Sequence, residues 1–147
     1  MSGLIEAAIP LVTQARELGL DMPIIGGNGF NSPQLMADAG EAAEGVVVGA
    51  AWNSASESAE NAAFLEAFRA MHGGDPDQFA AQAYTGLLLV DAAVREGCSA
   101  DRAAIQENLG ALSDIPTPLG GFSFAEREPQ HPAVVQVVEG GAFTVLD

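Results

Sequence analysis

The stretch from Phe79 to Val94 restricts the fold of this chain more than any other part of the sequence. It is apolar on nearly every side and contains only three polar residues. The residues before it are typical of a helix start, with Asp75 as N-cap, Pro76 at the first helical position and Gln78 at the third. A helix that is apolar all round has to be covered all round. The sequence therefore predicts a long helix buried between other elements.

Around this segment, helices and strands alternate. Helical spacing of apolar residues predicts further helices over residues 5–18, 32–39, 58–71 and 101–112. Short β-branched or aromatic runs predict strands over residues 22–26, 46–50, 119–124, 133–138 and 143–146, with a hairpin loop at 139–142. This order indicates an α/β fold whose strands do not form one tidy sheet.

Charge and hydropathy exclude two classes of partner. Twenty acidic residues stand against five basic ones, which gives a formal net charge of -15. Such a chain repels nucleic acid and anionic lipid. No apolar run reaches the roughly 18 residues of a membrane span, so no membrane insertion is expected. Residues 1–6 lack the features of a signal peptide, and we expect the targeting segment of a secreted parent protein outside this chain.

The glycine-rich loop after the first predicted strand is one candidate ligand site. Its sequence, Gly26-Gly27-Asn28-Gly29, lacks the Lys-Ser/Thr pair of a phosphate-binding loop. Open α/β sheets bind ligands at the carboxyl ends of their strands, so Asn28 and Phe30 are predicted ligand contacts. The alternative is a turn in which the glycines only provide positive φ. The residues alone leave both interpretations open.

Trp52, the only tryptophan, is the second candidate. It follows a predicted strand and precedes the polar linker 53–58. It either lines a ligand cleft or packs at a hinge, and its position slightly favours packing.

The sequence shows no pattern for catalysis or metal binding. Neither His72 nor His131 has a second His or Cys at the spacing of metal ligands. Cys98 is the single cysteine and has no internal disulfide partner. A Gly-x-Ser-x-Gly nucleophile motif is also absent from the sequence. An enzyme is therefore the least supported hypothesis, and neither a cofactor nor a metal is expected.

Several motifs, taken in order, resemble one protein family. Gln14–Leu20, Pro23–Gly27 and Ala39–Val46 closely resemble a continuous part of the periplasmic leucine/isoleucine/valine-binding proteins, which have the type I periplasmic-binding fold. The later landmarks that agree are Phe64–Met71, Pro76, Ala83–Gly86, Thr117–Gly120, Phe122–Phe124 and Gly141–Phe143. The resemblance covers essentially the whole chain.

This resemblance implies a fold of two Rossmann-like α/β lobes that close on a small ligand and deliver it to an ABC transporter. It implies that residues 1–52 belong to the second lobe and end in a strand that crosses between the lobes. Residues 53–114 then supply helices to the first lobe, and residues 115–147 return to the second lobe as strands. The chain contains only part of each lobe, so both sheets are expected to be incomplete.

The resemblance also bears on the ligand. In this family the loop after Ile25 commonly offers a carboxylate to the ligand's ammonium group, and Asn28 occupies that position. Asn accepts a hydrogen bond but carries no charge, which argues against an ordinary α-amino acid. The groups that hold the ligand's carboxylate belong to a part of the family's chain that is absent here.

Two functional hypotheses follow. The first is a fragment of an extracytoplasmic solute-binding receptor that captures an amino acid or related small molecule for an ABC transporter permease. The second is a stand-alone sensor or interaction domain that completes its half-fold by homodimerisation. In both cases we expect a homodimer or a domain-swapped assembly, because unpaired strand edges and exposed apolar faces favour association with another chain.

Overall fold

The computed structural model describes residues 1–146, so Asp147, the last residue of the predicted return segment, lies outside the described residues. The helices are α1 (Ile5–Glu17), α2 (Gln34–Ala39), α3 (Ala59–His72), α4 (Gln78–Gly97) and α5 (Arg102–Ala111). The strands are β1 (Ile25–Gly26), β2 (Val47–Ala50), β3 (Ile115–Thr117), β4 (Gly120–Ala125), β5 (Glu128–Gln130), β6 (Val134–Glu139) and β7 (Ala142–Val145). The predicted α/β class is confirmed.

One part of the molecule, the sheet unit, consists of α1, α2 and a four-stranded sheet. The strand order is β1-β2-β6-β7, with β1 parallel to β2 and the other pairs antiparallel. Val12 and Leu35 of the two helices are fully buried together with Val48 and Val138 of the sheet. β1 is shorter than the predicted strand 22–26 because Pro23 has no N–H to donate to a neighbouring strand.

The other part, the helical unit, consists of α3, α4, α5 and a sheet with the order β3-β4-β5. Its core contains Phe64, Leu89, Leu112 and Phe122. The short strands β3 and β5 were not expected, because each contains a proline, which weakens the sequence pattern of a strand.

The strands within residues 115–146 are divided between the two units. β3 and β4 pack with the helical unit, where Leu119 and Phe122 join its core. Only β6 and β7 pair with the first sheet, through β2. Phe122 and Phe124 of β4 pack with the core of the helical unit, which keeps β4 with that unit. The chain returns to the sheet unit between Gln130 and Val134.

The long helix α4 is confirmed, but it is not covered all round, since Leu87 is 71% exposed, and its start differs from the prediction. The N-cap is Asp77, whose Oδ1 accepts a hydrogen bond from Ala80 N at 2.9 Å. Asp75 instead pairs with Arg69, with 2.5 Å between Oδ1 and Nε. The helix therefore starts two residues later than expected, and Gln78 is its first residue rather than its third.

The predicted hairpin loop 139–142 is also confirmed. Glu139 and Ala142 are paired, and Gly140 and Gly141 form the turn with φ of 60° and 76°. Two consecutive positive φ angles are the geometry of a two-residue type I′ turn, which glycine adopts without steric cost.

No helix within residues 1–146 combines the length and apolar character that crossing a membrane requires.

Candidate ligand-binding site

The candidate site lies at the junction of the two units, where the chain leaves β1. A short 3-10 helix, Asn28–Phe30, follows this strand directly. Gly26 permits that geometry, since a Cβ at this position would lie 2.5 Å from Cγ of Phe30. The close packing turns Phe30 into the core and leaves Asn28 facing the helical unit.

Asn28 joins the two units through both ends of its amide. Its Oδ1 accepts a hydrogen bond from Ala51 N at 3.1 Å. Its Nδ2 donates to Oε1 of Gln78, the first residue of α4 and 50 positions further along the chain. Asn28 is half-buried, so part of its surface remains accessible at the junction.

Phe30 lies elsewhere. Its side chain is 1% exposed and belongs to the core of the sheet unit, together with Leu35 and Ala50. A ring buried to this extent has almost no surface to offer a ligand in this structure. The predicted ligand contact of Phe30 therefore stays a prediction, and the geometry supports a packing role.

Trp52 is also buried, with 3% of its surface exposed. Its Nε1 donates to Oδ1 of Asn61 at 2.8 Å, and its ring meets Phe64 edge to face at 6.1 Å between centroids. Asn61 in turn donates to the carbonyls of Ser54 and Ser56, so it holds the linker against α3. These contacts correspond to hinge packing, and a ligand contact of Trp52 stays a prediction.

Sequence reasoning missed a group of buried amides at the junction. Gln136 on β6 donates to Oδ1 of Asn31 at 2.7 Å, and Asn31 donates to the carbonyl of Trp52 at 2.6 Å. Gln136 Oε1 is fully buried and has no hydrogen-bond partner within the described residues. The sequence contains one indication that Gln136 is buried and hydrogen-bonded, because it is the only polar residue inside the apolar run 133–138.

A groove of about 740 Å³ lies beside this junction. Its walls come from both units, with Asn31, Pro33 and Met36 on one side and Leu65 and Asp75 on the other. The volume is within the range of small-molecule sites, which is roughly 300–1,000 Å³. Trp52 lines the groove, whereas Asn28 and Phe30 do not.

The chemistry of the junction is that of neutral hydrogen-bonding groups. Asn28, Asn31, Gln78 and Gln136 each offer an amide donor and an amide acceptor. Among residues 1–146, no three His, Cys, Asp or Glu side chains lie together so that they could hold a metal ion. Asn31, Gln78 and Gln136 are buried and bond to other groups of the protein, so in this structure these amides hold the junction together.

Comparison with known proteins gives a consistent result. The sequence model of a family described as periplasmic binding protein matches residues 1–142. The leucine-, isoleucine-, valine-, threonine- and alanine-binding protein of Pseudomonas aeruginosa is 27% identical over 117 residues, which are 80% of this chain and 31% of that protein.

Two solved structures are similar over nearly the whole chain. The branched-chain amino acid transporter substrate-binding protein LivJ from Streptococcus pneumoniae, in complex with isoleucine, is 31% identical with a TM-score of 0.85 and covers 97% of this chain. A solute-binding protein of an ABC transporter from R. palustris, in complex with benzoate, is 26% identical with a TM-score of 0.85 and covers 99%. The chain spans 41% and 40% of the length of these two proteins.

Proposed function

The chain belongs to the periplasmic binding protein family, and on that premise we propose that it is part of an extracytoplasmic receptor that captures a small organic ligand for an ABC transporter permease. The observation that carries the proposal is the junction itself. There, Asn28 of one unit meets Gln78 of the other, and residues of both units, among them Asn31 and Leu65, line an open groove. A ligand that binds between two units stabilises the arrangement in which both contact it.

The proposed ligand is an amino acid or a related carboxylic acid. Isoleucine and benzoate, the ligands of the two similar structures, share a carboxylate but only one of them has an ammonium group. The uncharged Asn28 does not require an ammonium group on the ligand. Binding and release without covalent chemistry then constitute the whole activity, and the protein is not an enzyme.

The sheet unit is proposed to be part of one lobe and the helical unit part of the other. The crossing segments are then residues 51–58 and 131–133, which refines the lobe boundaries 1–52, 53–114 and 115–147 implied by the resemblance. The location of such a receptor is the periplasm or the cell exterior.

Uncovered apolar surface supports the proposal that the receptor contains more than this chain. On α4, Phe79, Leu87 and Val90 are 48%, 71% and 39% exposed. On the sheet face that α1 and α2 do not cover, Ile25 and Val135 are 60% and 47% exposed. Contiguous apolar patches of this kind mark interaction surfaces. In the proposed receptor, the remainder of each lobe covers them.

The same surfaces favour one alternative, in which a second copy of the chain covers them and the homodimer or swapped assembly is a sensor. Light scattering distinguishes the two functions. We expect the complete product of the reading frame to be a monomer that binds leucine, isoleucine or benzoate in calorimetric titration. We expect residues 1–147 alone to associate and to bind none of them. A discrete dimer of residues 1–147 that binds a ligand would support the alternative, and a stable monomer of residues 1–147 would contradict both.

A further inference from the structure

A small set of polar contacts holds the two units together. Each unit has its own apolar core, and an open groove lies between their walls on one side of the junction. Within residues 1–146, all side-chain hydrogen bonds between the units involve Asn28 or Asn31, in the loop after β1. Units that share little apolar packing are expected to move relative to each other. These two asparagines therefore have a large influence on how the units are arranged.

Two of these hydrogen bonds lie at the pivot between the units. Ala51 N donates to Asn28 Oδ1 at 3.1 Å, and Asn31 Nδ2 donates to the carbonyl of Trp52 at 2.6 Å. Ala51 and Trp52 follow β2 directly, and the second crossing segment, residues 131–133, enters the sheet at the strand paired with β2. A rotation displaces groups near its axis the least. These two hydrogen bonds can therefore persist when the units separate.

The hydrogen bond between Asn28 and Gln78 lies away from this pivot. Gln78 begins α4, which belongs to the core of the helical unit. No other side-chain hydrogen bond or ion pair within residues 1–146 joins the sheet unit to the helices α3, α4 or α5. Separation of the units has to break this hydrogen bond, whereas the two at the pivot can remain.

The amide of Asn28 has a defined orientation in this bond. The backbone N–H of Ala51 is a donor only, so Asn28 turns Oδ1 to Ala51 and Nδ2 to Gln78, which has to accept through Oε1. Gln78 is buried, so water does not compete for the bond in this arrangement. A neutral hydrogen bond that replaces bonds to water shifts an equilibrium by about fivefold. The bond is therefore strong enough to change the population of the joined arrangement.

We infer that the hydrogen bond between Asn28 and Gln78 is a latch, which holds the two units together and breaks when they separate. Both partners are protein groups, so the latch favours the joined arrangement before any ligand binds. The inference rests on the proposed function, since the joined arrangement is the one that a ligand is proposed to stabilise. It adds a regulatory element to that function. Gln78 is a positioning residue, which sets the fraction of receptor molecules that are ready to bind.

The test measures the distance between the units in the complete product of the reading frame, without ligand. Spin labels are attached to Cys98, directly after α4, and to Glu17→Cys, at the end of α1. Both positions are exposed, and one lies on each unit. Any cysteine outside this chain is replaced by serine. Double electron–electron resonance then gives the populations of the joined and the separated arrangements.

Variants of Gln78 test the latch itself. Gln78→Met removes the acceptor at similar size, and we expect the ratio of separated to joined molecules to rise by about fivefold. Gln78→Glu keeps an oxygen acceptor and should leave the joined arrangement predominant. Gln106→Met, at an exposed position of α5, is the control and should leave the distances unchanged. Unchanged distances in Gln78→Met, or an equal shift in Gln78→Glu, would refute the latch.

Circular dichroism checks that each variant folds. Gln78→Asn retracts the acceptor by one CH₂ group, and it replaces Gln78→Met if that variant does not fold.

Calorimetric titration with leucine, isoleucine and benzoate separates the latch from the proposed function. If none of them binds, the proposed ligand class fails, whereas the distances still decide whether the latch exists. If one binds, its Kd should rise in Gln78→Met by no more than about fivefold, because only the fraction of joined molecules changes. A larger rise with unchanged distances would make Gln78 a ligand contact and overturn the latch.

Discussion

The sheet unit and the helical unit differ in how completely they bury their apolar residues. Six apolar side chains in the core of the sheet unit have 0% exposure, namely Val12, Leu35, Ala43, Val46, Val48 and Val138, against only Ala81 and Ala93 in the core of the helical unit. In the helical unit, the large core residues Phe64, Leu89, Leu112 and Phe122 keep between 3% and 8%, and α5 has no buried residue at all.

The difference follows from how the helices and the sheet pack in each unit. The sheet unit packs one face of its sheet against two helices, so that layer is complete by itself. The helical unit packs its helices with a small three-stranded sheet, and Phe79, Leu87 and Val90 of α4 are 48%, 71% and 39% exposed. Helices of this kind gain most of their stability from tertiary packing. We therefore expect substitutions in the two units to have unequal effects.

The largest expected effect is that of Phe30→Ala. The side chain is 1% exposed, and its removal leaves a cavity in the complete layer of the sheet unit. Such truncations lower the free energy of unfolding by about 3–5 kcal/mol. Urea denaturation followed by circular dichroism measures the change. A loss below about 1 kcal/mol would mean that the layer collapses around the cavity, contrary to the rigid core inferred here.

Asn61→Ala comes next, because it affects the link between the units. The side chain is fully buried, accepts from Trp52 and donates to the carbonyls of Ser54 and Ser56. Leaving buried partners unpaired costs about 1–3 kcal/mol each, and we expect a total loss of about 3 kcal/mol. Trp52 is the only tryptophan, so its fluorescence reports this region directly. Asn108→Ala, which removes a single hydrogen bond to the Ala93 carbonyl, is the control and should cost about 1 kcal/mol.

A smaller effect tests where α4 begins. Asp77→Ala removes the observed N-cap and should cost about 1 kcal/mol. Asp75→Ala removes only an exposed ion pair with Arg69 and should change stability by less than about 0.5 kcal/mol. The measurement is the midpoint of urea denaturation of each variant. A lower midpoint for Asp75→Ala than for Asp77→Ala would place the N-cap at Asp75.

The smallest effect on stability is expected for Leu87→Ala in residues 1–147. The side chain is 71% exposed, and surface substitutions change stability by about 0.5 kcal/mol or less. In the complete receptor proposed here the same side chain is covered, and the substitution should cost about 2–5 kcal/mol. Equal, small losses in both proteins would show that nothing covers this face of α4.

Much of the local structure could be predicted from the sequence. The helices, the glycine turn at Gly140 and Gly141 and the α/β class follow from spacing and residue type, which act over a few residues. The strands β3 and β5 could not be predicted, because their prolines and polar residues do not match the sequence pattern of a strand. They form strands through pairing with β4. At the candidate site, Asn28 was predicted from its position after a strand and stays a prediction, whereas Gln78 was interpreted as part of a helix cap.

The sequence by itself determined the family, the acidic charge of the chain and the positions of most helices, because these depend on composition and on short-range patterns. Only the tertiary structure decided that Phe30 and Trp52 are buried, that β3 and β4 remain with the helices, and that Asn28 meets Gln78. The physical reason is the same in each case. Burial and hydrogen bonding between residues 50 positions apart depend on how the layers pack, and no local pattern contains that information.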